Sequence, residues 1–249
     1  MRVLTVADLH QRRSLFHQLE EAVAARKPDV VACVGDFLDG WVPPPAGVGL
    51  LSATDAALAL AALPCEVVLV RGNHETETNW PDFEAAWRAT GRPLRALHGS
   101  SVNVGGLEIV GFPCWTGNDL PYSKINPLRD YRADAWLDDL VARHGAAIRS
   151  LWLMHEPPTR ELAGEWAYCA EWERAVRTFG PLAAVSGHDH AEPFRTERWR
   201  ATVGKTVAVN VGQRVYPQPG RLLYCTLDFQ FGPDGTPRLV KNGITRHGA

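Results

Sequence analysis

The sequence lacks the features of a disulfide-stabilised or membrane-spanning protein. Its five cysteines are scattered, odd in number and without a C-x-x-C pair, which favours reduced thiols in the core over a disulfide framework. No apolar stretch approaches the roughly 20 residues needed to cross a bilayer. Asp8 and His10 interrupt the first apolar run, so the N-terminus does not resemble a secretory signal. These absences predict a soluble, cytoplasmic protein with no membrane contact.

The chain also lacks an excess of charge of either sign. Its 26 basic and 28 acidic residues leave a formal net charge of −2. A small net charge is unfavourable for a broad nucleic-acid footprint, and no charge run or basic–aromatic interleaving is present. We therefore expect no extended nucleic-acid site, although a local basic pocket is compatible with this composition.

No internal repeat, low-complexity segment or convincing linker divides the chain. With 249 residues, of which 45% are hydrophobic, it can form one large α/β domain or two small ones. The absence of a linker favours one domain over residues 1–249, with an irregular surface excursion at about 113–130. The oligomeric state stays open.

Short apolar runs alternate with segments of helical periodicity. Five runs read as buried parallel strands, at residues 2–7, 30–34, 67–70, 151–154 and 182–185. Helices are predicted at about 14–26, 52–63, 81–90, 133–141 and 169–178, and Ser52-x-x-Asp55 is a capping box for the second. Gly105-Gly106 predicts a two-residue hairpin. In the last third, residues 207–212 and 222–231 read as antiparallel strands.

Each of the five predicted parallel strands ends at a polar motif. The motifs contain Asp8 and His10, Asp36, Asn73 and His74, His155, and His188 with His190. In a doubly wound sheet these ends lie along one edge and can converge. Imidazole, carboxylate and amide oxygen suit Mn, Fe, Zn or Ni, and the lack of thiolates argues against a structural zinc cage. The pattern therefore predicts a metal site.

A site for two divalent cations needs a bridging anion. Two dications about 4 Å apart repel each other by roughly 17 kcal/mol at an effective dielectric of about 20. Asp8 and Asp36 are both candidates for the bridging carboxylate. With only two carboxylates the centre stays net cationic, which favours an anionic substrate and above all a phosphate ester.

Each motif taken alone has a simple structural interpretation. Asp8 and Asn73 could cap the following segments, Gly35-Asp36 could form a turn, and His155 could be a satisfied half-buried histidine. The histidine pair in Gly187-His188-Asp189-His190 is more specific, because two loop histidines at this spacing seldom serve packing. The joint occurrence of five motifs at strand ends favours a functional interpretation.

Together the motifs resemble the signature of the calcineurin-like metallophosphoesterases. The resemblance covers residue 8 to about residue 212 and includes the late turn Asn210-Val211-Gly212. It implies an α/β fold, a four-layered α/β/β/α sandwich with a dinuclear metal centre on one edge. Manganese is the first expectation for the two ions, with iron, zinc and nickel as alternatives.

The resemblance also implies a role for each residue. The first metal would be held by Asp8, His10, Asp36 and His190, and the second by Asn73, His155 and His188, with Asp36 bridging. His74 would donate a proton or hydrogen bond to the leaving oxygen, while a hydroxide shared by the metals attacks phosphorus. Glu75 would orient His74, and Asp39 would contact and orient the metal ligands without binding a metal itself.

Substrate contacts are expected from less regular parts of the chain. Arg12 follows the first motif, Arg71 precedes the third, and Trp115 and Tyr122 lie in the excursion. Aromatic rings beside cations could stack a base or hold an aryl leaving group. The alternative is that such tryptophans pack in small satellite cores and that the arginines are solvated surface charges.

The leading hypothesis is an enzyme that hydrolyses a small phosphomonoester or phosphodiester, with nucleotides among the candidates. The alternative is a non-catalytic metal-binding scaffold or interaction protein with the same fold. Scaffold relatives usually lack ligands or the catalytic histidine, and this sequence has them all. A protein serine/threonine phosphatase is disfavoured because Gly40-Trp41 stands where those enzymes carry Arg-Gly.

Overall fold

A computed structural model describes residues 1–39, 49–112, 149–164, 167–168, 170–214 and 220–247. Its strands are β1 Arg2–Val6, β2 Val30–Val34, β3 Glu66–Val70, β4 Arg95–Leu97, β5 Ser100–Val104, β6 Leu107–Phe112, β7 Ser150–Met154, β8 Ala183–Ser186, β9 Arg200–Val203, β10 Thr206–Asn210, β11 Leu223–Phe231 and β12 Pro237–Arg246. The predicted helix at 133–141 and the excursion at 113–130, with Trp115 and Tyr122, lie outside the described residues.

Helices form at four of the predicted positions. They are α1 Arg13–Arg26, α2 Ala53–Ala61, α3 Trp80–Ala89 and α4 Ala170–Phe179, and a short helix α5 Glu192–Thr196 follows β8. A 3-10 turn covers Arg160–Leu162. Within the described residues, no helix is long and apolar enough to cross a membrane.

The strands form two six-stranded sheets. The first has the order β12-β11-β1-β2-β3-β4, in which β1 to β4 are parallel and β11 and β12 are antiparallel additions. The second has the order β5-β6-β7-β8-β10-β9, in which β6, β7, β8 and β10 are parallel. The motif-bearing strands are divided between the two sheets, because β1, β2 and β3 belong to the first and β7 and β8 to the second.

The prediction of antiparallel strands in the last third of the chain is confirmed for β11 and corrected in part for β10. Strand β10 pairs antiparallel with β9 but parallel with β8, with Val207 opposite Ala183. The predicted hairpin at Gly105-Gly106 is confirmed, because β5 and β6 pair antiparallel across it. Hairpin pairing is encoded locally, whereas the partner of β10 is set by packing between distant segments.

Apolar side chains pack in the three spaces between four layers. Residues such as Val68 and Leu153 fill the space between the two sheets. The outer face of the first sheet packs under α1, α2 and α3, with Leu60 in that cluster. The outer face of the second sheet packs under α4 through Trp152 and Trp172. The predicted four-layered α/β/β/α sandwich is confirmed.

The capping box at the start of α2 gives a direct test of local stability. Ser52 Oγ accepts a hydrogen bond from Asp55 N at 3.0 Å, and Asp55 Oδ2 accepts one from Ser52 N at 3.3 Å. Replacing Ser52 with alanine should lower the free energy of unfolding by about 1 kcal/mol. Denaturant unfolding would measure it, with Ser52→Thr as the matched control that keeps the acceptor. Equal losses in both variants would contradict this account.

Candidate metal centre

The loops that follow β1 and β2 continue the pairing of the two strands beyond their ends. Asp8 N donates to Gly35 O at 3.0 Å, and His10 N donates to Asp36 O at 2.8 Å. Asp8, His10 and Asp36 all have positive φ angles, of 55°, 43° and 53°. Positive φ is unfavourable for residues other than glycine, and such backbone strain concentrates at functional sites. The strained backbone turns these three side chains toward one place.

The loops of the second sheet join this arrangement from the other side. Gly187 N donates to His155 O at 2.9 Å, which ties the loops after β7 and β8 together. His188, with φ of 68°, donates its backbone N–H to the carboxylate of Asp8, at 2.9 Å from Oδ2 and 3.1 Å from Oδ1. The carboxyl ends of both sets of parallel strands therefore meet at one edge of the sandwich.

Close approach of these loops requires glycine at residue 72. A Cβ atom at Gly72 would lie 2.8 Å from both Asp36 N and His155 Cε1, and still closer to Asp36 Oδ1. Contacts this short with backbone and a buried ring cannot be relieved by moving a flexible side chain. The glycine before Asn73 is thus set by the dimensions of the site.

A first group of donor atoms contains four of the predicted ligands. Ligand atoms of Asp8, His10, Asp36 and His190 all lie within 4.8 Å of one another. The Nε2 atoms of His10 and His190 are 3.2 Å apart, and His10 Nε2 is 3.9 Å from Asp36 Oδ2. This is the set that the resemblance assigns to the first metal.

A second group lies on the other side of Asp36. Ligand atoms of Asp36, His155 and His188 lie within 4.8 Å of one another. His155 Nε2 is 3.1 Å from both Asp36 Oδ2 and Asn73 Oδ1, which brings the predicted amide ligand to the same place. Asp36 belongs to both groups and Asp8 only to the first. Of the two carboxylates considered as the bridge, the geometry favours Asp36.

The protonation states of the cluster fit divalent cations. Burial lowers the pKa of His188 to about 3 and also lowers the pKa values of His10 and His190. Burial acts to raise the pKa of Asp36, but His155 and His74 hold it well below its usual value. Neutral imidazoles and an ionised carboxylate are the forms that bind metals.

The pKa values of His155 and Asp8 indicate that the donor cluster favours an added positive charge. Burial acts against the charged form of His155, yet Asp36 and Asp8 raise its pKa to about 10. Its Nδ1–H donates to Val34 O at 2.9 Å, and in the charged form the second proton is on Nε2, which lies 3.1 Å from Asp36 Oδ2. Burial raises the pKa of Asp8 to about 7. A cation among these groups would take the place of the His155 proton and favour ionised Asp8.

His74 lies beside the two groups and forms a third group of donor atoms with His10 and Asp39. Its Nε2 is 4.0 Å from Asp36 Oδ2, and its side chain is 16% exposed, against 1% or less for His10 and His155 and 25% for His190. Its Nδ1 is 3.3 Å from Asp39 Oδ1. Burial acts to lower its pKa, but Asp36 and Asp39 raise it above the ordinary value. His74 can therefore carry a proton to a bound group.

Residues 1–192 match the family described as calcineurin-like phosphoesterases, and the match includes every residue of the two groups. The chain belongs to this family. Its members are metal-dependent phosphoesterases, and the Asp/His cluster is a candidate dimetal site of the kind typical of them. No curated protein matches the sequence significantly.

Solved structures share the phosphoesterase fold across the whole chain. A protein of Thermus thermophilus superposes with a TM-score of 0.67 at 13% identity, covering 98% of each chain. A dimetal phosphatase from Danio rerio has a TM-score of 0.61 at 14% identity, covering 100% of this chain and 99% of that one. A candidate 5′-nucleotidase from Staphylococcus aureus has a TM-score of 0.61 at 13% identity, covering 99% of this chain and 54% of that one. Identities this low show the fold and leave the substrate open.

Glu75 does not have the role expected from its position after His74. Its buried carboxylate accepts backbone N–H groups of Asp36 at 2.9 Å, Leu38 at 2.8 Å and Gly72 at 2.6 Å. Asp39, and not Glu75, is the carboxylate hydrogen-bonded to the His74 ring. Burial raises the pKa of Glu75 to about 7, with Asp36 adding to the shift. In this member of the family, Glu75 joins the loop after β2 to the loop after β3.

Replacing Glu75 with glutamine should loosen this junction. The amide offers one acceptor oxygen, and its NH₂ group would face backbone donors that then lose their partner. Leaving a buried donor unsatisfied costs about 1–3 kcal/mol, so the free energy of unfolding should fall by this amount. Denaturant unfolding of metal-free protein measures it, with the exposed Glu77→Gln as control. A variant as stable as the wild type would show that the three bonds contribute nothing.

The two candidate substrate arginines have structural partners. Arg12 is fully buried, and its Nη2 lies 3.5 Å from Asp39 Oδ2, so it is neither a solvated surface charge nor open to substrate. Arg71 donates to Glu75 O at 2.9 Å and lies over the Trp80 ring, 4.9 Å from its centroid. Trp80 in turn stacks on Phe83 within the core cluster under the helices. The Trp80 ring therefore packs against the core beneath the helices.

Two supporting residues were not singled out by sequence reasoning. Gln11 Oε1 accepts Asp39 N at 2.9 Å and fixes the loop that carries Asp39. Asp189 is buried and accepts Gly164 N, Ala191 N and Glu192 N at 2.7–2.9 Å. The N-cap of α5 is Ala191, so Asp189 lies two residues before the position at which a capping residue is sought. Neither Asp189 nor Gln11 therefore had a sequence signal for its role.

Proposed function

We propose that the protein hydrolyses a phosphate ester with two divalent metal ions bound at the junction of the sheets. The substrate class is a small phosphomonoester or phosphodiester, with nucleotides among the candidates. The single observation that carries this proposal is the convergence of seven donor side chains and His74 at one edge of the sandwich. Membership of a phosphoesterase family supports the same chemistry.

The two donor groups supply the proposed ligand sets. Asp8, His10, Asp36 and His190 would hold one ion, and Asp36, Asn73, His155 and His188 would hold the other. Manganese is proposed first because imidazole, carboxylate and amide ligands suit it, and the same ligands accept iron, zinc or nickel. Bound ions would supply an activated water nucleophile and neutralise charge on the phosphoryl oxygens.

His74 is proposed as the acid that acts on the leaving group. Asp39 accepts the Nδ1–H of the ring, which leaves Nε2 directed toward the donor cluster. The raised pKa of His74 keeps Nε2 protonated to a higher pH than in a free histidine. A positioned acid typically contributes about 10²–10⁴-fold to the rate. Arg12 and Gln11 hold Asp39 in place, and Asp39 in turn holds the His74 ring in position.

A substrate and metal panel tests the proposal. The protein is stripped of metal, reloaded separately with Mn, Ni, Zn or Mg, and assayed against p-nitrophenyl phosphate, bis-p-nitrophenyl phosphate, nucleoside monophosphates and cyclic nucleotides. We expect the rate of hydrolysis to depend on added metal and to reach its maximum when two ions are bound per chain. Hydrolysis of a nucleotide diester but not its monoester would define the narrower class.

A non-catalytic metal-binding scaffold is the alternative function. It predicts a different result from the same panel, namely stoichiometric metal binding without hydrolysis of any ester. The presence of His74 with its Asp39 partner favours the enzyme, because a scaffold needs no positioned acid. Absence of turnover with all four metals, in protein shown to bind two ions, would replace the enzyme by the scaffold.

A further inference from the structure

Charge is unevenly distributed along this chain. Residues 1–192 contain 17 basic and 25 acidic residues, a net charge of −8, whereas residues 193–249 contain nine basic and three acidic residues, a net charge of +6. The boundary coincides with the end of the family match at residue 192. The near-zero total therefore conceals a basic C-terminal part that lies beyond the family match.

Six of these basic residues lie at the edge of the sandwich that carries the candidate metal centre. All six are arginines, all have exposed side chains, and together we call them the arginine face: Arg195, Arg198, Arg200, Arg214, Arg221 and Arg246. The other three basic residues, Lys205, Arg238 and Lys241, are also exposed but lie away from this edge, in the β9–β10 turn and the first half of β12.

Strand directions place the first four arginines beside the centre. Arg195 is on α5, which begins two residues after His190. Strand β9 runs antiparallel to β10, so Arg200 at its start lies opposite Val209 near the end of β10. Asn210 N donates to Trp199 O at 2.9 Å, which places the neighbouring Arg198 near the end of β10 as well. Arg214 follows the end of β10 directly.

The remaining two arginines reach this edge from the first sheet. Strand β11 runs antiparallel to β1, so Arg221, just before β11, lies at the end of β1 that leads to Asp8. Arg246 is paired with Leu223, the first residue of β11. The arginine face thus extends along this edge away from the candidate metal centre. It covers the ends of β10 and β9 in the second sheet and of β11 and β12 in the first.

An aromatic pair supports part of the arginine face. Phe194 and Trp199 pack edge to face with ring centroids 4.6 Å apart, and the Arg246 guanidinium lies 5.6 Å from each centroid. Glu192 pairs with Arg195 at 2.6 Å. Two acidic residues, Glu192 and Glu197, accompany six arginines on these segments, so the surface keeps a strong positive charge.

We propose that the arginine face binds phosphate groups of the substrate other than the one that is hydrolysed. The preferred substrate would then be a phosphate ester with at least one further phosphate, and this inference rests on the proposed hydrolysis at the adjacent centre. Guanidinium groups bind phosphate bidentately, and a positive surface beside a site raises the local concentration of anionic substrate.

A purely structural explanation makes a different prediction. Charged side chains on edge strands prevent sheets from pairing with other chains. That function would be served equally by Lys205, Arg238 and Lys241, which gives a matched control in the same part of the chain. Substrate binding instead requires the charge to be beside the centre.

The test compares two triple variants. Arg198→Gln/Arg200→Gln/Arg214→Gln removes charge from the arginine face, and Lys205→Gln/Arg238→Gln/Lys241→Gln removes equal charge elsewhere. Substrates are p-nitrophenyl phosphate, a nucleoside triphosphate and a short single-stranded oligonucleotide. We expect the first variant to raise KM for the multiply phosphorylated substrates by about tenfold or more and to reduce its salt dependence. Its kcat and its activity on p-nitrophenyl phosphate should stay near those of the wild type.

Binding without turnover separates this inference from the proposed function. Calorimetry with inorganic tripolyphosphate on metal-free protein should show binding to the wild type and the control triple, and at least about tenfold weaker binding to the arginine-face triple. This result would uphold the arginine face even if no ester were hydrolysed. Equal KM changes in both triples, or equal tripolyphosphate binding by all three proteins, would overturn it. Preference for the nucleotide or for the oligonucleotide supports it and identifies the source of the phosphates.

Discussion

Replacement of Asp36 by asparagine is expected to abolish turnover and deplete both metal ions. Asp36 belongs to both donor groups, and its Oδ2 lies 3.1 Å from His155 Nε2, 3.9 Å from His10 Nε2 and 4.0 Å from His74 Nε2. The substitution removes the one negative charge positioned between two cations. Loss of a residue that only supports a ligand costs about 10–100-fold in metal affinity or activity, so loss of the shared ligand should exceed about 100-fold.

Elemental analysis and kinetics measure the two effects of Asp36→Asn separately. Metal content per chain should fall below that of the wild type after identical loading, and kcat/KM should fall with it. Asp82→Asn, an exposed position on α3, is the matched control and should leave both unchanged. Thermal unfolding of the metal-free proteins shows that the variant is folded. An Asp36→Asn protein with two ions and normal turnover would disprove the shared-ligand role.

Replacement of His74 by glutamine is expected to separate catalysis from metal binding. The ring lies outside the two proposed ligand sets but faces them through Nε2, so both ions should remain. Without the acid, kcat should fall by about 10²–10⁴-fold. The fall should be larger for an alkyl phosphate than for p-nitrophenyl phosphate, because a good leaving group needs little protonation.

The partner of His74 provides the control for this result. Asp39→Asn should reproduce part of the loss, and the double variant should lose little more than His74→Gln alone, because Asp39 acts through the ring. His17→Gln, at a side chain that is 68% exposed on α1, should have no effect. Metal loss in His74→Gln equal to that in Asp36→Asn would refute the division of roles.

The donor residues could be predicted from sequence because strand ends are encoded locally. A short apolar run followed by glycine and a polar residue identifies both the strand and the side chain at its end, as at Val70 and Asn73. The structure brings Asp8, Asn73 and His188 together although they are far apart in the chain. The four layers followed from the family resemblance, because the local pattern does not show how strands are divided between sheets.

Roles that depend on contacts between distant loops could not be predicted. Arg12 follows a metal motif in sequence, but only the fold shows that its guanidinium is buried against Asp39. The role of Glu75 depends on three N–H groups from two separate loops, and no sequence spacing encodes their convergence. The arginine face was hidden for a similar reason, since the total charge does not show where charge is placed.

The carboxylate of Asp8 belongs to the first sheet and accepts its hydrogen bonds from His188 in the second. Neither sheet alone contains a complete set of donors, so the centre can form only after the two halves have docked. Because cations would bind the docked state in preference to separated sheets, each bound ion would stabilise the association of the two halves. Removal of bound ions by a chelator should therefore loosen the contact between the two sheets before either sheet unfolds.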